Sequence, residues 1–178
     1  VLLEITRHDV RGGSGNGTGA VEMVDIVHEA KNHVAKMAKQ RQVSLSVDTV
    51  PVKAKGDKAS LVELLVIFLD NAIKYSPEGS KVHIGLSRQG HYAVVTVYDH
   101  GIGIGKEDLE HIFERFYRAD QSRSKEKTTG FGLGLSLAKL IADRHDGRIV
   151  IESDVGKGTL VRLQLPLATD LKPTQSKR

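Results

Sequence analysis

The sequence predicts an α+β two-layer sandwich, a mixed, mostly antiparallel sheet with helices packed on one face. Two patterns lead there. Alternating apolar stretches come in pairs around short turns, 81–88 with 92–98 and 148–153 with 158–165, and strands joined this way are antiparallel neighbours. Three longer segments, 21–42, 58–75 and 133–145, instead repeat their apolar residues every three or four positions, as a helix with one buried side does. Strands that cluster in hairpins, rather than alternating strictly with helices, favour helices on one face of a sheet.

In chain order, residues 1–9 read as the end of an amphipathic helix. Residues 11–20 hold five glycines among Ser, Asn and Thr, too little apolar surface to offset the entropy of ordering, and so predict a flexible linker. The helix over 21–42 carries Val24, Val27, Val34, Met37 and Ala38 on one side. A strand follows at 43–47, then a turn or edge segment at 51–56. Asp57 is placed to cap the helix that runs from Lys58 to about Tyr75, and Pro77 stops it, because the residue before proline resists helical geometry. Gln89, Gly90 and His91 form a hairpin turn. Residues 99–105, DHGIGIG, are a glycine-rich loop, and 107–116 a short amphipathic helix. Residues 117–129 show no apolar periodicity and predict a long mobile loop of the kind that is usually functional. Residues 130–135 are a second glycine-rich turn opening the helix at 133–145, which Gly147 stops. One domain therefore spans 21–167, followed by a flexible tail over 168–178.

Composition narrows the function. Lys and Arg outnumber Asp and Glu by 26 to 22, an excess too small to argue for nucleic acid. There is no cysteine, which excludes disulfides and thiolate metal sites. No signal-peptide pattern opens the sequence, and its longest apolar run, 64–69, is far below the roughly 20 residues of a membrane span. The expectation is a water-soluble piece.

The chemistry concentrates in four stretches. In 61–77, LVELLVIFLDNAIKYSP, residues Asn71, Lys74 and Tyr75 lie beside a strongly apolar face formed by Leu61, Leu64, Leu65, Phe68, Leu69 and Ala72. At helical spacing they present a carboxamide, an ammonium and a ring to one side; alone, this also fits a core helix with a polar edge. Asp99 ends a strand and precedes Gly101 and Gly103. A carboxylate there can accept from an exocyclic amine, and the glycines let backbone approach a flat ring, although Asp-x-Gly also suits a plain turn. Gly130, Gly132 and Gly134 lead into a helix, where unpaired N–H groups favour an anion. The spacing is not G-x-G-x-x-G, and no G-x-x-x-x-G-K-[ST] occurs, so Rossmann and P-loop readings lose. The loop between carries Arg115, Arg118, Arg123, Lys125 and Lys127 against Asp120 and Glu126. Between two glycine-rich turns, that suits a lid over a polyphosphate better than a merely solvated face.

Together these stretches resemble the catalytic, ATP-binding domain of sensor histidine kinases, in the Bergerat-fold ATPase superfamily, from about 21 to 167. LDNAIKYSP is similar to the N box, DHGIGIG to the G1 box, IFERFYRAD to the F box, TTGFGLGLSLAK to the G2 box and GKGT to the last glycine box. The resemblance implies ATP and Mg²⁺ as cofactors. Asn71 would hold Mg²⁺, Lys74 would neutralise phosphate charge, Tyr75 would pack by the adenine and Asp99 would accept from its amino group. Gly101, Gly103, Gly132 and Gly134 would allow close backbone approach, and Leu133 and Leu135 would anchor the second loop. Phe113 and Phe116 would pin the lid base, with Arg118 and Arg123 reaching the phosphates. Ile102, Ile104, Gly130 and Thr159 complete the nucleotide-binding set, and the catalytic set is Asn71, Lys74, Arg118 and Arg123. The implied reaction moves the γ-phosphoryl of ATP to a histidine on a dimerisation domain of the same parent, then to a response regulator.

Residues 1–10 would be the remnant of that dimerisation domain's last helix. The resemblance further implies a monomeric piece of a homodimeric parent, in the cytoplasm, with an inner-membrane anchor on the parent left open and no nucleic-acid partner. Three departures stand out. No H-E-x-R-T-P-like acceptor box occurs. Ile67 stands where many members carry a polar residue and where the ATP-hydrolysing branch has its general-base glutamate. Phe131 replaces a small residue and Asp146 a glycine. Two other readings stay open on the same fold: a nucleotide-binding regulatory module that transfers nothing, and an anti-sigma-type serine kinase.

Overall fold

The computed structural model describes residues 19–118 and 132–168. Five strands form one sheet in the order β2 (Ser44–Thr49), β4 (Lys81–Gln89), β5 (Tyr92–Asp99), β7 (Gly158–Pro166), β6 (Arg148–Asp154). Only β2 and β4 run parallel; the other three pairings are antiparallel. Helices α1 (Met23–Gln40), α2 (Lys58–Tyr75) and α4 (Gly134–Arg144) supply the second layer. The core lies between the layers. Ile26, Val27 and Val34 of α1, Leu64, Leu65 and Phe68 of α2 and Ala138 and Ala142 of α4 share one buried cluster with Ile84, Val95, Val97 and Leu163 of the sheet. The predicted two-layer α+β sandwich is therefore what forms.

Two elements differ from the sequence expectation. Residues 19–22 are not the start of the first helix or the end of a linker. Gly19–Glu22 is a strand, β1, paired antiparallel with β3 (Lys53–Gly56), which makes the expected turn or edge segment half of a two-stranded ladder. Strand pairing is non-local, and a four-residue stretch with one valine gives no periodic signal for it. The helix expected over 107–116 is only α3 (Lys106–Leu109). Beyond it the backbone continues as three-residue turns, with His111 N–H on Asp108 O at 2.9 Å and Glu114 N–H on His111 O at 2.8 Å, and reaches φ +66° at Phe116. Ile112 is the one buried side chain of 110–116, so no apolar face sustains a longer helix.

α2 starts on a well-made cap. Asp57 Oδ2 accepts from the Ser60 N–H at 2.8 Å and the Ser60 hydroxyl at 2.7 Å. Those bonds hold the Asp57 carboxyl below its ordinary value of 3.8. A depressed carboxylate stabilises the fold fully above its unfolded value and loses that contribution as pH falls through the folded one. Asp57→Ala is expected to lower stability by about 1 kcal/mol in urea unfolding at pH 7, with the gap to wild type closing as pH falls below 3.8.

Buried His145 ties the C-terminal end of α4 to the start of α2. Its Nε2 accepts from the Asp57 N–H at 3.0 Å and its Nδ1 lies 2.8 Å from Ile141 O. A carbonyl only accepts, so Nδ1 carries the hydrogen and the ring is neutral. Asp146 sits at φ +52°, a left-handed conformation that Asp tolerates better than most residues.

Candidate functional site

Ile67, Asn71 and Tyr75 are four residues apart on α2 and so lie on one side of it. A glycine-rich turn touches that side at each end. At Ile67, a Cβ on Gly134 would come within 3.3 Å of Cγ2. At Tyr75, the carbonyl accepts from Ile102 N–H at 3.2 Å, and a Cβ on Gly101 would lie 2.5 Å from the same oxygen. Asn71 is thus halfway between the two turns, half-buried, and its carboxamide forms no hydrogen bond among the described residues. Lys74 is held by an i,i+4 ion pair with Asp70. The Lys74 carbonyl accepts from Arg41 Nη1 at 3.1 Å. The Tyr75 ring is 41% exposed, so it is open to stacking.

The buried Asp99 carboxylate is 6% exposed. Its Oδ1 accepts from Gly101 N–H at 2.8 Å and Thr159 N–H at 3.2 Å, whereas no donor among the described residues reaches Oδ2. Burial pushes the carboxyl above its ordinary 3.8, with the two backbone bonds opposing the shift. One oxygen is therefore fixed by the fold and the other is available to a ligand.

The loop after Asp99 lies directly against the β6–β7 turn. Gly156 N–H donates to Ile102 O at 2.7 Å. Gly103 has φ +71°, and a Cβ there would fall 2.0 Å from Asp154 O. Gly103→Ala is expected to destabilise the domain by about 2 kcal/mol or more, since left-handed strain alone costs 1–3 kcal/mol; chemical denaturation reads this directly. Gly132 is equally constrained, at φ +69° with Tyr117 O 2.7 Å from the Cβ position.

Phe116 N–H donates to Gly132 O at 3.0 Å, so a backbone bond joins the two described segments on either side of 119–131. The Phe116 ring is 72% exposed, whereas Phe113 is half-buried. Leu133 and Leu135 are half-buried, and Leu135 packs on the core cluster. Ile102 is 56% exposed; Ile104 donates its N–H to Ser153 Oγ at 2.8 Å. Arg118 is exposed. Arg123, Gly130 and Phe131 lie outside the described residues, as do 1–18, most of the expected lid loop and 169–178.

The structure thus gathers Tyr75, Asp99, Gly101, Gly103 and Thr159 around the C-terminal end of α2 and the loop after β5, with Gly134 two turns back at Ile67 and Asn71 and Lys74 on the stretch of α2 from Ile67 to Tyr75. It adds Asp70, which the i,i+4 spacing to Lys74 would have revealed, and Ser153, for which the sequence carries no signal short of the strand register. Among the described residues no group of three His, Cys, Asp or Glu side chains could hold a metal ion. The Asn71 carboxamide oxygen is a hard ligand suited to Mg²⁺, which commonly keeps waters and phosphate oxygens in its other positions.

A profile described as histidine kinase-, DNA gyrase B-, and HSP90-like ATPase matches residues 56–169, which takes in α2, both glycine-rich turns and the closing hairpin. The chain belongs to that ATPase family. Within this ATPase family the relatives it resembles are named sensor histidine kinases. It is 40% identical over 145 residues to the sensor histidine kinase RppB of Synechocystis, covering 80% of this chain and 32% of the relative. It is 40% identical over 146 residues to the sensor histidine kinase YkoH of Bacillus subtilis, covering 81% and 32%. Among solved structures, the mycobacterial sensor histidine kinase MprB superposes with a TM-score of 0.72 at 26% identity, over 84% of this chain and 97% of that one. The chain spans about a third of the length of the curated relatives it matches. Among the described residues no helix of this ATPase domain is long and apolar enough to cross a membrane.

Proposed function

We propose that the chain holds Mg-ATP between α2, the loop after Asp99 and the second glycine-rich turn, and presents its γ-phosphoryl group to a histidine outside this chain. The acceptor histidine would sit on the dimerisation domain of the same parent, and a response regulator would take the phosphoryl group next. The observation that carries this reading is the placement of Asn71 midway between two glycine turns that touch α2 at Ile67 and Tyr75.

Each residue has a role that its chemistry suits. Asp99 Oδ2 accepts from the adenine amino group. The Tyr75 ring covers the base. The Asn71 oxygen holds Mg²⁺, which when bound neutralises phosphate charge. Lys74, shared with Asp70, and the arginines 118 and 123 add positive charge around the leaving diphosphate. In the transfer itself the bond from the γ-phosphorus to the bridging oxygen breaks, a phosphorus–nitrogen bond forms on the histidine, ADP leaves and the histidine loses a proton. Such transfer depends on positioning and charge rather than on covalent work by the protein. Ile67 packs on Gly134, so that position supplies no carboxylate to activate water, and hydrolysis is expected to be slow.

The test is incubation of this chain with γ-labelled ATP and a separate histidine-bearing helical domain from a relative. Acid-labile label on that domain supports the reading. ATP binding without label points to a regulatory module, and acid-stable label on serine to a serine kinase.

A further inference from the structure

Asp99, Thr159 and Ser153 form one cross-strand row over β5, β7 and β6, with Asp99 opposite Thr159 and Thr159 opposite Ser153. Ser153 Oγ has three partners: the Ile104 N–H at 2.8 Å, the Gly158 carbonyl at 2.8 Å and the Thr159 hydroxyl at 2.9 Å. A hydroxyl has one hydrogen and two lone pairs. The Gly158 carbonyl only accepts, so it takes the Ser153 hydrogen. The Ile104 N–H only donates, so it fills one lone pair. The Thr159 hydroxyl must then donate to the other. With its own hydrogen committed to Ser153, Thr159 Oγ1 meets any further partner with lone pairs alone. In the adjacent position of the row, Asp99 Oδ2 is also an acceptor.

We propose that Ser153 is a positioning residue for base recognition: by fixing the Thr159 hydrogen it makes the Asp99–Thr159 end of the cleft acceptor-only. Such an end takes a purine with an amino group at C6 and rejects one with a carbonyl there, whose oxygen would face acceptors with no hydrogen between them. The inference rests on the nucleotide-binding reading above. It assigns discrimination to a side chain two strands from Asp99, acting through the rotor of Thr159. Without Ser153, that rotor is free to turn its hydrogen toward a 6-oxo group.

Calorimetric titration of ATP and inosine triphosphate into wild type, Ser153→Ala, Thr159→Val and the double variant tests this. Wild type is expected to prefer ATP, and Ser153→Ala to narrow the preference about tenfold, the worth of one hydrogen bond. Ser153→Thr is expected to restore it. In the Thr159→Val background, which has no hydroxyl to orient, adding Ser153→Ala is expected to leave the ratio unchanged. Equal weakening of both nucleotides by Ser153→Ala would show a merely structural role and overturn the inference, as would a full effect in the Thr159→Val background. If Ser153→Ala loses its far-UV circular dichroism, Ser153→Cys carries the same comparison, and an unaltered ratio in Thr159→Val alone is enough to reject the idea. Absence of heat with ATP in wild type removes the nucleotide-binding reading and this inference with it. ATP binding with an unaltered ratio removes only the inference.

Discussion

Asn71→Ala is expected to lower phosphoryl transfer by about a hundredfold or more, the usual cost of deleting one preorganised charge-stabilising group, while far-UV circular dichroism stays unchanged. The side chain is half-buried and has no hydrogen-bond partner among the described residues, so truncation to Ala strands no polar group. Its neighbours one turn away on α2, Ile67 and Tyr75, are held by contacts with Gly134 and Ile102, and these do not involve the carboxamide. Function and folding therefore separate at this residue. Turnover retained in Asn71→Ala, measured with the histidine-bearing partner domain and saturating Mg-ATP, would remove the residue from the mechanism.

Asp99→Asn is expected to act in opposite directions on binding and stability. The two backbone N–H groups that bond Oδ1 hold the amide oxygen of Asn in the same place, so the amide nitrogen takes the position of Oδ2. The open acceptor becomes a donor, facing the amino group it should bind. Loss of a charge-assisted bond is worth roughly 1.5–3 kcal/mol, about ten- to a hundredfold in affinity, and the donor–donor contact adds to it. The free fold is expected to gain, because burial raises the Asp99 carboxyl above its ordinary 3.8. A raised carboxyl means that the charged form costs stability above its folded value, and the cost is relieved as pH falls through that value. In wild type, ATP affinity should accordingly fail on acidification from a pH higher than an ordinary aspartate would give. Calorimetry across pH, together with thermal unfolding of Asp99→Asn, checks both halves. A variant that binds ATP normally contradicts the role assigned to Oδ2.

The sandwich and most of the candidate site were legible because their signals are local. Helix α2 announces itself through an apolar face, a capping Asp57 and a terminating Pro77. Asp99 stands out as a carboxylate at a strand end followed by glycines. Hairpin pairing of β4 with β5 and of β6 with β7 follows from alternation around short turns. What was not legible depends on partners far apart in sequence. Gly19 to Glu22 becomes a strand only because 53–56 lies beside it. Ser153 matters only once the register sets it opposite Thr159. The 107–116 stretch looked helical, but a single buried residue, Ile112, did not suffice to extend a four-residue turn of helix.

The short ladder of β1 and β3 also has a mechanical side. Its pairing runs from Gly19 opposite Gly56 to Glu22 opposite Lys53, and the far edge of β3 is stapled to the end of the main sheet, where Ala168 N–H meets Lys53 O at 3.1 Å. Gly56 is followed at once by the cap of α2. A displacement of Gly19 is therefore shared, through four paired residues, with Gly56 at the base of the helix that carries Asn71.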